Sequence, residues 1–161
     1  MSTPALRMPL RMRPVRLVPL LIRLAVVATV TESGYLHAKL YVNGYRFVPH
    51  IGVMFLLQGA VSFAVAALLL FGDPLILRLA AAGTALGALG GFALSRTTGL
   101  WGFTERGFQP HPDAFLSVLS ETATLLLLGC LWTYTLLRRR AAGARADTTD
   151  STSPAVGTAT T

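Results

Sequence analysis

Four apolar runs, each long enough to cross a lipid bilayer, constrain this chain more than any other feature of its sequence. They cover about residues 17–38, 51–71, 74–95 and 114–137. A helix of about 20 apolar residues spans the ~30 Å hydrocarbon layer. Hydrophobic residues make up 53% of the 161 and charged residues only 13%, which is too apolar for a soluble domain of this size. We therefore predict an all-α fold, a four-helix antiparallel transmembrane bundle.

The first apolar run, residues 17–30, follows a basic segment and has two interpretations. A basic start before an apolar core is typical of a secretory signal peptide. However, no A-x-A cleavage site follows Val30, and helical character can continue to Ala38, giving a segment of about 22 residues. We expect an uncleaved first transmembrane helix.

The distribution of positive charge predicts the orientation. Nine cations fall on the side of the two termini and four on the opposite side, so both termini should be cytoplasmic. Residues 1–16 form a basic, proline-containing leader, and residues 17–137 form the membrane domain. Residues 138–161 begin with a basic stop and continue as a small, polar segment that we expect to be disordered and cytoplasmic.

Composition indicates the kind of cell and excludes two classes of protein. Only one of the fourteen cations is a lysine, Lys39, and alanine is abundant, which is typical of a GC-rich bacterial genome. The predicted location is therefore the bacterial cytoplasmic membrane. The net charge is +7, but the arginines lie mainly beside apolar runs and form no basic stripe interleaved with aromatics. This argues against a protein that binds nucleic acid. The single cysteine, Cys130, excludes an internal disulfide framework.

Small residues in the third run predict close helix packing. Gly83, Gly87, Gly91 and Ser95 recur at four-residue steps, which puts them on one helix face and lets a neighbouring backbone approach. The sequence leaves open whether this glycine ladder packs within the monomer or builds a homo-oligomer. We expect Gly87→Leu to disrupt the bundle, because a large side chain would wedge the close helix contact. Gln58, in the second run, is expected to bridge to another helix.

Ionisable side chains gather at the end of the bundle opposite the termini. This polar cluster of the outer face comprises Glu32, His37, Arg46, His50, Arg96, Glu105 and Glu121. Glu32 and Glu121 lie roughly 9 to 12 Å inside their helices, so each is expected to face the bundle or to be protonated. Arg96 is the expected partner of Glu121.

Short polar side chains extend the cluster into the membrane as two stripes. The stripes are Thr29, Ser33 and His37 on the first helix and Ser117, Glu121 and Thr124 on the fourth. Residues three or four apart share a helix face, so we expect the stripes to meet in one polar seam. Two interpretations stay open: interhelical hydrogen bonds that tie the bundle together, or a ligand, proton or cofactor site.

Three histidines raise the question of a metal or haem. Imidazole is a common ligand of zinc, copper and haem iron, and His37, His50 and His111 all fall at the outer end. No two of them are spaced three or four residues apart, and no cysteine or methionine joins them in a recognisable motif, so we predict no metal and no cofactor. The chain contains no G-x-S-x-G, H-E-x-x-H, C-x-x-C or phosphate-binding loop, and we predict no catalytic residue.

Two motifs carry a resemblance over about residues 17–137. They are GYRxxPxIGxxFLLQ at the start of the second run and SxxxGLxGF after the third. The chain resembles an uncharacterised family of small four-helix integral membrane proteins of actinobacteria, which implies the same topology and no established activity. The matching positions are His37, Gly44, Tyr45, Arg46, Pro49, Gly52, Gln58, Gly99, Gly102, Phe103 and Glu121.

Three functional hypotheses follow. The first is a non-enzymatic structural or accessory component whose partner is the lipid bilayer. The second is a small oligomeric proton-coupled transporter that uses Glu32 and Glu121, similar in size and span number to small multidrug carriers; Glu32 is far from the midplane that such a site favours. The third is a metal or haem redox protein at the outer face.

Overall fold

The computed structural model describes residues 17–150 and confirms an all-helical fold. It contains four α-helices: α1 (Leu17–Val42), α2 (Ile51–Phe71), α3 (Leu75–Arg96) and α4 (Asp113–Asp150). A short 3-10 helix, Tyr45–Phe47, lies between α1 and α2. No strand occurs in this part of the chain. Each of the four helices is long and apolar enough to cross a membrane, as predicted, while the leader at 1–16 lies outside the described residues.

The four helices form a ring in which α1 packs against α2 and α4, and α3 closes the ring by packing against the same two helices. We call the end where α1 and α3 stop and α2 and α4 start the cap end. Small and β-branched side chains fill the centre; the buried core comprises Val26, Val30, Val65, Ala66, Leu69 and Ala81. Large apolar side chains cover the outside instead, with Phe71 90% exposed and Ile76 68% exposed. An apolar exterior of this kind suits lipid rather than water.

The turns fix where the helices begin. Pro49 precedes α2, and the turn Gly72, Asp73 and Pro74 precedes α3, as expected for residues that break helices and favour turns. The guanidinium of Arg78, one turn into α3, donates to both carboxylate oxygens of Asp73, at 2.7 and 2.5 Å. This local ion pair anchors the first turn of α3 to the preceding loop.

The end of α4 differs from the prediction. The helix continues to Asp150, whereas the sequence predicted a span that ends at Leu137, a basic stop and then a disordered tail. Residues 138–150 contain alanine and arginine, which have high helix propensity, and a helix already nucleated in the bundle extends through them at little cost. The remainder of the predicted disordered tail, residues 151–161, lies outside the described residues.

The closest helix contact joins α1 to α2 and does not involve the glycine ladder. A Cβ atom on Gly34 would lie 3.1 Å from the Cβ of Ser62, and one on Gly59 would lie 3.3 Å from the carbonyl oxygen of Gly34. On α3, by contrast, a Cβ on Gly83 or Gly87 would meet no atom within 4 Å. Of the two alternatives that the sequence left open, packing of the ladder within the monomer is not seen at Gly83 and Gly87. The close helix contact that made us expect Gly87→Leu to disrupt the bundle is therefore absent at that position.

Candidate functional site

A polar seam joins α1 to α4 inside the bundle. Ser33 and Ser117 both donate to the Oε1 atom of Glu121, at 3.0 and 2.9 Å. One turn further along, the hydroxyl oxygens of Thr29 and Thr124 lie 2.7 Å apart. The Glu121 side chain is only 1% exposed. The structure thus brings together the two stripes that the sequence predicted would meet, with one buried carboxyl at the centre.

His37 completes the seam towards the cap end. Its Nδ1 atom lies 2.9 Å from the carbonyl oxygen of Ser33 and 3.9 Å from Oε1 of Glu121. Because a carbonyl oxygen only accepts, Nδ1 carries a proton, and in the neutral form of the ring Nε2 is then an acceptor. The ring packs against Phe55 with centroids 5.2 Å apart. His37 is therefore held in one orientation by α1 and α2.

A cap of three side chains, Tyr45, Arg96 and Glu105, closes the bundle above the seam. Nη1 of Arg96 donates to Oε2 of Glu105 at 2.6 Å, and the hydroxyl of Tyr45 donates to Oε1 of the same carboxylate. Burial, and then the hydrogen bond to Glu105, raise the pKa of the Tyr45 phenol above its ordinary value. Tyr45 is accordingly a proton donor throughout the physiological pH range.

The expected pair between Arg96 and Glu121 does not form. Arg96 lies at the last turn of α3, whereas Glu121 lies eight residues inside α4, about 12 Å further into the bundle. The loop after α3 folds back over the helix end and offers nearer acceptors: Nε of Arg96 donates to the carbonyl of Gly107 at 3.0 Å and Nη2 to that of Gln109 at 2.5 Å. The guanidinium also lies 4.1 Å above the ring of Phe92.

Two further contacts join neighbouring helices, and a third lies within α3. Nζ of Lys39 on α1 donates to Asp113 at the start of α4, at 2.8 Å. The amide nitrogen of Gln58 on α2 donates to the carbonyl of Thr84 on α3, at 3.0 Å, and so joins these two helices. Ser95, the last member of the ladder, is buried and accepts from Arg96 at 2.5 Å. Each helix is thus linked to a neighbour through a polar contact.

The other predicted members of the polar cluster lie apart from the seam. Glu32, Arg46 and His50 are all exposed. Glu32 therefore does not face the bundle interior, which was one of the two alternatives predicted for it, because it lies about 100° around α1 from Ser33 and so outside the buried stripe. Arg46 lies over the ring of Phe47, at 4.6 Å from its centroid, and His50 stacks on Trp101 with centroids 5.5 Å apart.

The histidines do not converge. His37 is buried in the seam, whereas His50 and His111 are exposed. Within residues 17–150, no three histidine, cysteine, aspartate or glutamate side chains lie close enough to hold a metal ion together.

A cavity of about 190 Å³ lies between the helices directly beneath the cap. Most of its wall is apolar, with aromatic rings from Phe55, Phe92 and Phe103. The polar residues that line it are His37, Tyr45, Gln58, Ser95, Arg96, Glu105, Gln109 and Ser117. Gly87 and Gly91 also line it. Two members of the glycine ladder thus border an open space instead of a helix contact.

Sequence reasoning missed Tyr45 as a functional group and missed the cavity altogether. Tyr45 falls in a motif that carried the family resemblance, but its partner Glu105 is sixty residues away in sequence, and nothing in local spacing reveals such a pairing. The signal for the cavity was the ladder itself, since glycine removes side-chain volume whether or not a neighbouring helix fills it.

No protein family, curated protein or solved structure matches this chain. The class of the protein rests on its own fold: four long apolar helices with an apolar exterior and a polar interior seam are the build of a multi-pass integral membrane protein. The resemblance to actinobacterial four-helix membrane proteins stays a prediction.

Proposed function

We propose that this protein is a non-enzymatic accessory component of a bacterial cytoplasmic membrane, with both termini in the cytoplasm and the cap on the outer face. The observation that carries the proposal is the internal pairing of the charged groups around the cap. Arg96 pairs with Glu105 at 2.6 Å, and Lys39 pairs with Asp113 at 2.8 Å. Ion pairs within the chain hold loops and helix ends in place. The cap end is therefore a rigid surface, which suits a structural or accessory component.

The orientation rests on the charge distribution. Arg138, Arg139 and Arg140 follow the predicted fourth span, and α4 carries them beyond the bundle on the side opposite the cap. Arginine clusters of this kind favour the cytoplasmic side. Association of copies through the glycine ladder stays a prediction; Gly83, which is exposed and has no neighbouring atom at its Cβ position, is the position that would report it.

A proton-coupled carrier is the second candidate, favoured by one observation: Glu121 is a buried carboxyl within a membrane span. Such groups are rare in membrane helices and often mark a proton or ion site. Glu32 gives this candidate no support, since its side chain is exposed on the outside of α1. The carrier hypothesis therefore depends on Glu121 alone.

Uptake into vesicles distinguishes the two candidates. Purified protein is reconstituted into liposomes, and uptake of a lipophilic cation is measured with and without an imposed proton gradient. We expect flux equal to that of empty vesicles, because the seam serves to hold the helices together. Proton-driven flux that is lost in Glu121→Gln and retained in the matched variant Glu32→Gln would establish the carrier and overturn the proposal.

A further inference from the structure

We infer that the cavity beneath the cap is a binding site for a small, uncharged, lipid-soluble molecule that carries one hydroxyl or N–H donor. The inference goes beyond the proposed function and does not depend on which side of the membrane the cap occupies. It is drawn from the size of the cavity, its side opening, its paired charges and its free acceptors.

The size of the cavity limits the ligand to about one or two rings. An apolar cavity of roughly 150 Å³ in another protein stays dry and admits benzene. The cavity here, at about 190 Å³, is somewhat larger. A single aromatic ring or a compact bicyclic molecule fills such a volume, and Phe55, Phe92 and Phe103 offer ring faces and edges for it to pack against.

The cavity reaches the outside of the bundle between α2 and α3. Met54 on α2 and Gly87 on α3 both line it, and both are exposed, so the cavity is open at the gap between these two helices. This exterior surface is apolar and lies within a membrane-spanning helix pair. Because Gly87 and Gly91 have no side chains, nothing on α3 fills the gap. A molecule dissolved in the bilayer therefore has a lateral path to the cavity.

The charges in the wall argue against an ionic ligand. Arg96 and Glu105 are the charged residues among those that line the cavity, and they already pair with each other at 2.6 Å. A charged ligand would lose its hydration without gaining a free counter-charge, which is strongly unfavourable. An uncharged molecule avoids this cost.

Two acceptors in the wall remain free. His37 is only 7% exposed, and its Nδ1 donates to Ser33. Within residues 17–150, no group bonds to its Nε2, which leaves an acceptor on a buried ring that lines the cavity. The Gln58 amide nitrogen is used by Thr84, which leaves its Oε1 as a second acceptor. Buried acceptors favour a ligand with an O–H or N–H donor.

Binding of a fluorinated indole to the protein in lipid nanodiscs, followed by fluorine NMR, tests the inference. Indole is uncharged, bicyclic and carries one N–H donor. Empty nanodiscs measure simple partition into lipid. We expect saturable binding to the protein above that background, and about fivefold weaker binding of the N-methylated derivative, which corresponds to loss of one hydrogen bond of about 1 kcal/mol.

Variants locate the site. His37→Phe keeps a ring against Phe55 and removes the acceptor, so indole should bind about fivefold more weakly while the N-methylated derivative is unaffected. Gly87→Leu should abolish binding of both, because its side chain fills the cavity. Gly83→Leu lies on the same face of α3 but does not line the cavity, and should bind as wild type does.

The outcomes separate cleanly. No saturable binding above empty nanodiscs, or full binding to Gly87→Leu, would overturn the site. Equal binding of indole and its N-methylated derivative to the wild-type protein would overturn the donor requirement, and this comparison needs no variant to fold. Thermal unfolding of each variant in the same nanodiscs shows whether a loss of binding reflects the cavity or the fold.

Discussion

Glu105 shows how a single side chain organises the cap. Its carboxylate accepts from the Arg96 guanidinium and from the Tyr45 hydroxyl, and so joins the loop after α3 to the segment between α1 and α2. The ring of Tyr45 stacks on Phe55 at 4.5 Å and meets Phe103 edge-on at 5.8 Å. Charged and aromatic contacts therefore act on the same residue, and Tyr45 is fixed both at its hydroxyl and at its ring.

The raised pKa of Tyr45 predicts how the cap responds to pH. Because the folded protein holds the phenol proton more tightly than the unfolded chain, the stabilisation is complete below the ordinary pKa of 10.0 and is lost as pH rises through the higher folded value. A titration of phenolate absorbance should contain a step well above the ordinary pKa of a phenol. This late step should disappear in Tyr45→Phe and persist in the control Tyr35→Phe, whose ring is exposed; a late step that Tyr45→Phe leaves unchanged would contradict the prediction.

The contact between α1 and α2 is the tightest packing among the helices. Gly34 and Gly59 allow the two backbones to approach, and Ser62, which is fully buried, packs against Gly34. In lipid, where apolar side chains gain little by leaving the solvent, such close contacts between small residues favour helix association. Helix packing thus depends on Gly34 on α1 and Gly59 on α2. On the α3 ladder, Gly87 and Gly91 border the cavity instead.

Gly34→Leu should destabilise the bundle, whereas Gly83→Leu should not. At Gly34 even a Cβ would lie 3.1 Å from Ser62, so a leucine must push α2 away at a cost of about 1–3 kcal/mol. At Gly83 no atom lies within 4 Å of the Cβ position. Thermal unfolding in mild detergent measures both. A Gly83→Leu variant that unfolds as early as Gly34→Leu would show that the ladder packs after all.

At the scale of the whole molecule, the bundle separates a capped end from an open one. The cap end carries two ion pairs, Lys39–Asp113 and Arg96–Glu105. The opposite end carries the Arg78–Asp73 pair and projects α4 as a basic helix beyond the apolar segment. The polar seam lies in the half nearest the cap, and the apolar core of Val26, Val65 and Leu69 fills the other half. The two ends of the bundle thus differ in both charge and structure.

Thiol labelling checks the orientation of the whole molecule. In a Cys130→Ala background, Thr98→Cys places a thiol in the exposed loop at the cap end, and Ala141→Cys places one on the exposed extension of α4. We expect an impermeant maleimide to label Thr98→Cys in cells whose outer envelope is permeable to it, and Ala141→Cys only after lysis. The reverse pattern would place the cap in the cytoplasm.

The sequence by itself determined the number of helices, their approximate limits and the two stripes of the seam. Apolar length and helical periodicity are local properties, and they decide which segments are helical and which residues share a face. Helical spacing placed Thr29 and Ser33 on one face of the first helix, and Glu121 on a polar face of the fourth. The extension of α4 was missed because residues 138–150 are polar and simple in composition, which predicts disorder for an isolated segment. Composition does not predict whether a helix that has already started continues through such a segment.

Only the tertiary structure decided how the faces are used. Arg96 pairs with Glu105 and not with Glu121, because the loop after α3 folds back over the helix end. Glu32 is exposed because of the rotation of α1 about its own axis. The glycine ladder shows the same limit: spacing alone identifies a smooth helix face, but whether a backbone, a second chain or an empty space lies against it depends on where the neighbouring helix stands. In this molecule α2 and α3 diverge there, and the space between them is the cavity.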